Sequence, residues 1–132
     1  MTSVRDNDLS LNVNEALDPA NLSDLEKMHI PAVRVPGRLR VGEPFEVVVD
    51  VGVGIAHATA PDHFIQYIEV HADGMLLTRI DLVPGRSYPR FRATVVLRHA
   101  CREIRATAAC NLHGAWSGRT LVLVTEGEHL PK

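Results

Sequence analysis

Cysteine is scarce in this chain. Cys101 and Cys110 are the only two, too few for a disulfide framework and too few for the four thiolates of a rubredoxin-like iron centre. No apolar run approaches the roughly 20 residues that span a bilayer. The opening segment, MTSVRDNDLSLNVNEALDP, is polar and acidic and lacks the apolar stretch of a secretory signal. The formal net charge of −2 leaves neither a basic surface for nucleic acid nor a long acidic tail. No Gly-rich phosphate loop follows a strand, and no Ser-His-Asp order with a nucleophile elbow is present. Repeats and low-complexity segments are missing too. These absences argue against membrane, nucleic-acid-binding, disulfide-stapled and nucleotide-binding classes. A small protein is left, expected in the cytoplasm, where a reducing environment favours thiols with a chemical job.

What the chain has is enough apolar content for one core, 45% of 132 residues, and an unusual load of seven histidines. Residues 1–27 read as an N-terminal extension. Within it Asp18-Pro19, Ala20, Leu22 and Leu25 suggest a short helical turn that Ser23 or Asn21 can cap. From 28 to 132 the pattern is two-residue alternation broken by Gly and Pro. Phe45, Val47, Val49, Val51 and Val53 share one face, with Glu46 and Asp50 on the other. The runs Phe64–His71 and Leu76–Val83 flank the turn Ala72-Asp73-Gly74 and read as a hairpin. Arg90–Arg98, Glu103–Ala109 and Thr120–Val124 follow, the last two separated by Asn111–Arg119. With Ala32–Val35 this makes about seven strands. The expected fold is all-β, an antiparallel sandwich, with Tyr67, Phe91 and the valines in its core.

Histidine and cysteine collect at the strand ends. His29 precedes Ile30-Pro31. His57 and His63 occupy the loop Gly54–His63, and Cys110 and His113 bracket Asn111-Leu112 in a tight turn closed by Gly114. Loops on a rigid sandwich can converge on one point. A lone Cys-x-x-His or His-x5-His is weak, but together they supply one thiolate and four imidazoles, one donor more than tetrahedral zinc uses. Soft sulfur with several imidazoles suits iron, copper or zinc, and five donors with a vacant sixth position point toward redox-active iron. His71, His99 and His129 lack such company and read as surface histidines. Cys101 reads as a half-buried structural thiol.

The same residues resemble a known family. Cys110-Asn111-Leu112-His113-Gly114-Ala115-Trp116 is similar to the CNxHGxW signature of superoxide reductases, the neelaredoxins and the iron domain of desulfoferrodoxins. His57 to His63 with Phe64-Ile65-Gln66-Tyr67-Ile68-Glu69 resembles the HPxxxxHxIxxIE segment, with Ala58 where proline is common. Glu26-Lys27-Met28-His29-Ile30-Pro31 resembles EKHVP, with Met28 as one extra residue. The resemblance implies an immunoglobulin-like sandwich holding one iron through four imidazoles, His29, His57, His63 and His113, and the Cys110 thiolate. It also implies one-electron reduction of superoxide to hydrogen peroxide, an external donor such as rubredoxin, and a homo-oligomer joined through sheet edges. Lys27 would draw in superoxide and aid protonation, and Glu26 would ligate the oxidised iron. Trp116 is expected to pack over the ligand turn and shield the thiolate, and the Asn111 and Leu112 N–H groups to donate to its sulfur. Two other readings compete. One is an immunoglobulin-like metal-binding or adaptor module with little turnover, kept open by the shifted Glu-Lys pair. The other is a structural zinc domain, disfavoured by the surplus donor.

Overall fold

Strict alternation in the valine-rich run Phe45–Val51 can bury only one face, and that face covers one side of a sandwich. In the computed structural model, which describes residues 13–126, one short helix, α1 (Asp24–His29), precedes nine strands. These are β1 (Pro31–Arg34), β2 (Arg38–Arg40), β3 (Phe45–Val51), β4 (Ile65–Ala72), β5 (Met75–Asp81), β6 (Arg90–Val95), β7 (Glu103–Cys110), β8 (Gly114–Leu121) and β9 (Leu123–Thr125). A three-stranded antiparallel sheet, β1-β3-β6, faces a four-stranded one, β5-β4-β7-β8, and β2 pairs with β9 in parallel. Val47 and Val49 from the first layer and Ile68, Val70 and Ile104 from the second are fully buried. Each such side chain contributes roughly 1.5–3 kcal/mol.

The all-β antiparallel sandwich matches the expectation, and the expected hairpin is present, with Asp73 (φ 45°) and Gly74 (φ 89°) making its two-residue turn. Other details differ. Arg38–Arg40 is a strand too short for period to reveal. The segment Asn111–Arg119, read as a connection, is a three-residue turn followed by β8, whose Gly, Ala and Ser content masks its strand character. Thr120–Val124 divides between β8 and β9 where Val122 turns its N–H to the Arg102 carbonyl. Val53 lies past the end of β3 and is exposed. An irregularity between Ile65 and Tyr67 shifts the register against β7, so that Ile65 and Ile68 are both buried. Tyr67 is therefore only half-buried, its ring under the Arg79 guanidinium at 4.1 Å, rather than in the core. His71 sits half-buried at the far end of β4, His99 is exposed and Cys101 is half-buried. His129 lies outside the described residues. No helix among the described residues is long and apolar enough to cross a membrane.

Register decides where the site forms. Pro31 pairs with Val51, Ile65 with Cys110, and Cys110 with Gly114. The end of α1, the loop after β3, the start of β4, and the turn from β7 to β8 thus meet at one end of the sandwich.

Candidate metal centre

Three chain segments bring side chains to that end. The first is α1, which begins at a capping box: the Ser23 hydroxyl accepts the Glu26 N–H (3.1 Å), and the Glu26 carboxylate accepts the Ser23 N–H (2.8 Å). Pro31 disfavours helix at Ile30, so the helix stops with His29 in its last turn. There His29 Nδ1 lies 2.8 Å from the Leu25 carbonyl oxygen, and its ring stacks on Trp116, centroids 5.0 Å apart. The second segment is the β3–β4 loop. Gly52, at φ 88°, turns the chain so tightly that a Cβ there would run into the backbone of His57. His57 Nδ1 lies 2.7 Å from the Ala58 carbonyl, and Ala60 and His63 exchange backbone hydrogen bonds of 3.0 and 3.1 Å.

The third segment is the turn after β7. The Asn111 side chain accepts the Phe64 N–H (2.9 Å) and donates to the Asp62 carbonyl (3.0 Å), stapling this turn to the His63 loop. The Asn111 N–H donates to the Phe64 carbonyl, so it is not the donor to sulfur expected from sequence. That donor is the His113 N–H, 3.4 Å from Cys110 Sγ, because the turn places the residue three positions on over the sulfur.

The four imidazoles form a closed circuit. Ring centroids are 4.8 Å apart for His29–His57, 4.7 Å for His57–His63, 5.2 Å for His63–His113 and 5.0 Å for His113–His29, each pair edge to face. Cys110 Sγ is 3.3 Å from His57 Nε2 and 3.7 Å from His113 Nδ1. One ligand atom from each of His29, His57, His63 and Cys110 lies within 4.8 Å of the others. His29, His57 and Cys110 are buried, His63 is half-buried, and His113 lies exposed on the rim.

This donor set fits a metal cation. A carbonyl oxygen only accepts, so the Nδ1 atoms of His29 and His57 carry their protons and the Nε2 atoms present bare lone pairs. The Nε2 atoms of His29 and His63 are buried and have no hydrogen-bond partner among the described residues. Burial pushes His29 and His57 below the usual imidazole range, and neighbouring imidazoles add repulsion against protonation, so both are neutral donors near pH 7. Buried lone pairs gathered near a sulfur can hold a cation among them.

The family model for desulfoferrodoxin matches residues 21–119, which include the whole constellation. The chain belongs to the desulfoferrodoxin family. A candidate superoxide reductase of Methanocaldococcus jannaschii is 28% identical over 107 residues, covering 77% of this chain and 88% of the relative. The solved superoxide reductase (neelaredoxin) of Ignicoccus hospitalis superposes with a TM-score of 0.72 at 27% identity, over 90% of this chain and 98% of that one. A candidate superoxide reductase structure from Thermotoga maritima gives 0.71 at 26% identity, over 89% and 98%.

In this desulfoferrodoxin-family chain the remaining motif residues are disposed as follows. Trp116 covers the ligand turn as expected, with its indole N–H donating to the His113 carbonyl (3.0 Å), but its ring face lies on His29. Glu26 is buried, and both its oxygens are engaged by backbone N–H groups of Ser23 and Leu17, which hold its carboxyl below the usual carboxylate range. Lys27 is exposed on α1 beside Gly54. Sequence reasoning missed the staple made by the Asn111 side chain, although an amide inside a ligand motif is a usable signal. It also missed Gly52 and Gly118, which no local pattern marks.

Trp116 is the sole tryptophan. Titrating ferrous iron into metal-free protein is expected to quench its emission by more than about half at one equivalent, because an ion held by His29 would sit one imidazole ring away from the stacked indole. Unchanged fluorescence with iron bound, as measured by metal analysis, would place the ion elsewhere.

Proposed function

We propose that this chain is a superoxide reductase, reducing superoxide by one electron to hydrogen peroxide with a mononuclear non-haem iron held by His29, His57, His63, His113 and Cys110. The observation that carries this reading is the closed circuit of four imidazoles with a buried sulfur beside His57 and His113. Held by these residues, ferrous iron would supply the one electron, and two protons would complete the peroxide. The protein's own groups do the rest. The Leu25 and Ala58 carbonyls hold two imidazoles in the tautomer that offers Nε2. The His113 N–H supports negative charge on the Cys110 sulfur. Four neutral rings and one thiolate cancel only half of a divalent charge, which leaves the pocket attractive to a small anion. His113 on the rim keeps the pocket within reach of solvent.

Lys27 is the steering cation in this proposal, exposed on the helix that ends in His29. Lys27→Ala is expected to slow superoxide capture a few-fold at low ionic strength and to match the parent at high salt, since screening removes a single exposed charge. Pulse radiolysis across a salt series measures this; equal rates at low salt would remove Lys27 from the steering role. The same experiment tests the function itself. Decay of superoxide no faster with iron-loaded than with metal-free protein would favour the alternative of a metal-binding module with little turnover.

Two cysteines cannot supply a rubredoxin-like centre beside the first, which supports a one-electron donor outside these residues, of which rubredoxin is an example. A homo-oligomer is supported by the edge position of β5 and by the exposure of Met75 and Leu76 on it. The unpaired Cys101 and Cys110 suit the reducing cytoplasm.

A further inference from the structure

Burying a carboxylate is costly unless its oxygens are hydrogen-bonded. Glu26, 8% exposed, meets that condition in an unusual way. One oxygen accepts from Ser23 N–H at the head of α1 (2.8 Å) and the other from Leu17 N–H (3.1 Å), so the side chain ties the helix to the segment before it. That segment is itself fastened to β8. The Asn14 N–H and side-chain amide both donate to the Ala115 carbonyl (2.9 and 3.0 Å), and the Ser117 N–H donates to the Asn14 carbonyl (2.8 Å). At the other end of α1 the His29 ring lies on Trp116 of the same strand, with its Nδ1 on the Leu25 carbonyl. The helix is thus pinned to β8 at both ends. Six residues do not hold a helix by themselves, so the order of α1, and with it the place of the Leu25 carbonyl, depends on these two attachments.

We infer that Glu26 is a positioning residue of the metal centre: it clamps α1 against β8, keeps the Leu25 carbonyl on His29 Nδ1, and so aims His29 Nε2 at the other donors without entering the site itself. This rests on the ligand assignment proposed above. The role differs from direct ligation by a carboxylate, and the two make opposite predictions for Ser23, which shares the capping box but carries no group able to reach a metal from the helix head.

The test compares Ser23→Ala, Glu26→Ala and Glu26→Gln in the full chain. It measures iron(II) affinity by chelator competition and the energy of the thiolate-to-ferric band after oxidation. Ser23→Ala and Glu26→Ala are each expected to weaken iron binding about fivefold, the size of one lost helix cap. Glu26→Gln, which keeps an oxygen for the capping box, recovers at least half of that loss. The band keeps its energy in all three variants. A band shifted in Glu26→Ala and unmoved in Ser23→Ala would overturn the inference and make the carboxylate a ligand. Parent-like iron affinity in a folded Glu26→Ala would overturn it as well. Failure of the unmodified chain to bind iron at all would instead overturn the ligand assignment, which keeps the two failures apart.

Discussion

Cys110→Ser is expected to give a folded protein that stays colourless on oxidation and no longer reduces superoxide. The sulfur sits at the last residue of β7, 3% exposed, where it belongs to the hydrophobic core on one side and faces His57 Nε2 and His113 Nδ1 on the other. A serine oxygen occupies nearly the same place and can still accept the His113 N–H, so the turn keeps its shape and the loss of stability stays near 1 kcal/mol. The electronic consequence is far larger. A hydroxyl does not ionise near neutral pH and donates no soft, polarisable charge, so both the charge-transfer band and the push of electron density onto the iron disappear. Iron retention should fall by a factor on the order of 100 or more, since even loss of an outer partner costs 10–100-fold. Visible spectra, metal content and superoxide decay would be measured side by side. A coloured, active serine variant would show that the thiolate is not coordinated, and zinc-like silence in the parent would point to a structural metal.

Gly118→Ala is expected to damage the site from a distance. Gly118 pairs with Ala106 inside β8, and a Cβ there would overlap the Pro31 carbonyl oxygen and press on the Ile30 side chain. Neither neighbour is a flexible tip. Relief requires β1 to move away from β8, and β1 starts two residues after His29. Overpacking of this kind costs typically 1–3 kcal/mol. A displacement on the order of 1 Å in a donor group is enough to cost about 100-fold in function. Gly118→Ala should therefore melt earlier and also release iron more readily, with His29 drawn off Trp116. Gly37→Ala is the control: nothing lies within 4 Å of its Cβ position and its φ is outside the left-handed region. That variant should be neutral or slightly more stable. Calorimetry and chelator competition on both variants decide the matter, and equal behaviour would mean that the β1–β8 approach does not position His29.

The Met28 insertion shows where reading along the chain reaches its limit. Compared position by position with a shorter motif, it displaces Glu26 and Lys27 by one place from the histidine. In the fold Met28 lies within α1, which puts the Leu25 carbonyl one helical turn before His29, while the Ser23–Glu26 pairing lies upstream of Met28 and is untouched by it. Ser23 was legible as one of two candidate caps, with Asn21, and the structure selects Ser23 through its pairing with Glu26. The Leu17 contact of Glu26 was not, since it joins residues on either side of a turn whose path no periodicity encodes.

Spacing and residue chemistry by themselves determined the alternating strands, the Asp73-Gly74 hairpin, and the gathering of histidine and cysteine at strand ends, with too few cysteines for a rubredoxin-like centre. Those features depend on contacts between near neighbours in the chain or on composition. Only the tertiary structure decided that four rings close into one circuit, that the His113 N–H and not that of Asn111 meets the sulfur, that Asn111 staples two ligand loops, and that Gly52 and Gly118 leave room for them. Each of these is a meeting of segments far apart in the chain, governed by strand register and close packing, and a one-dimensional pattern does not record which backbones will touch.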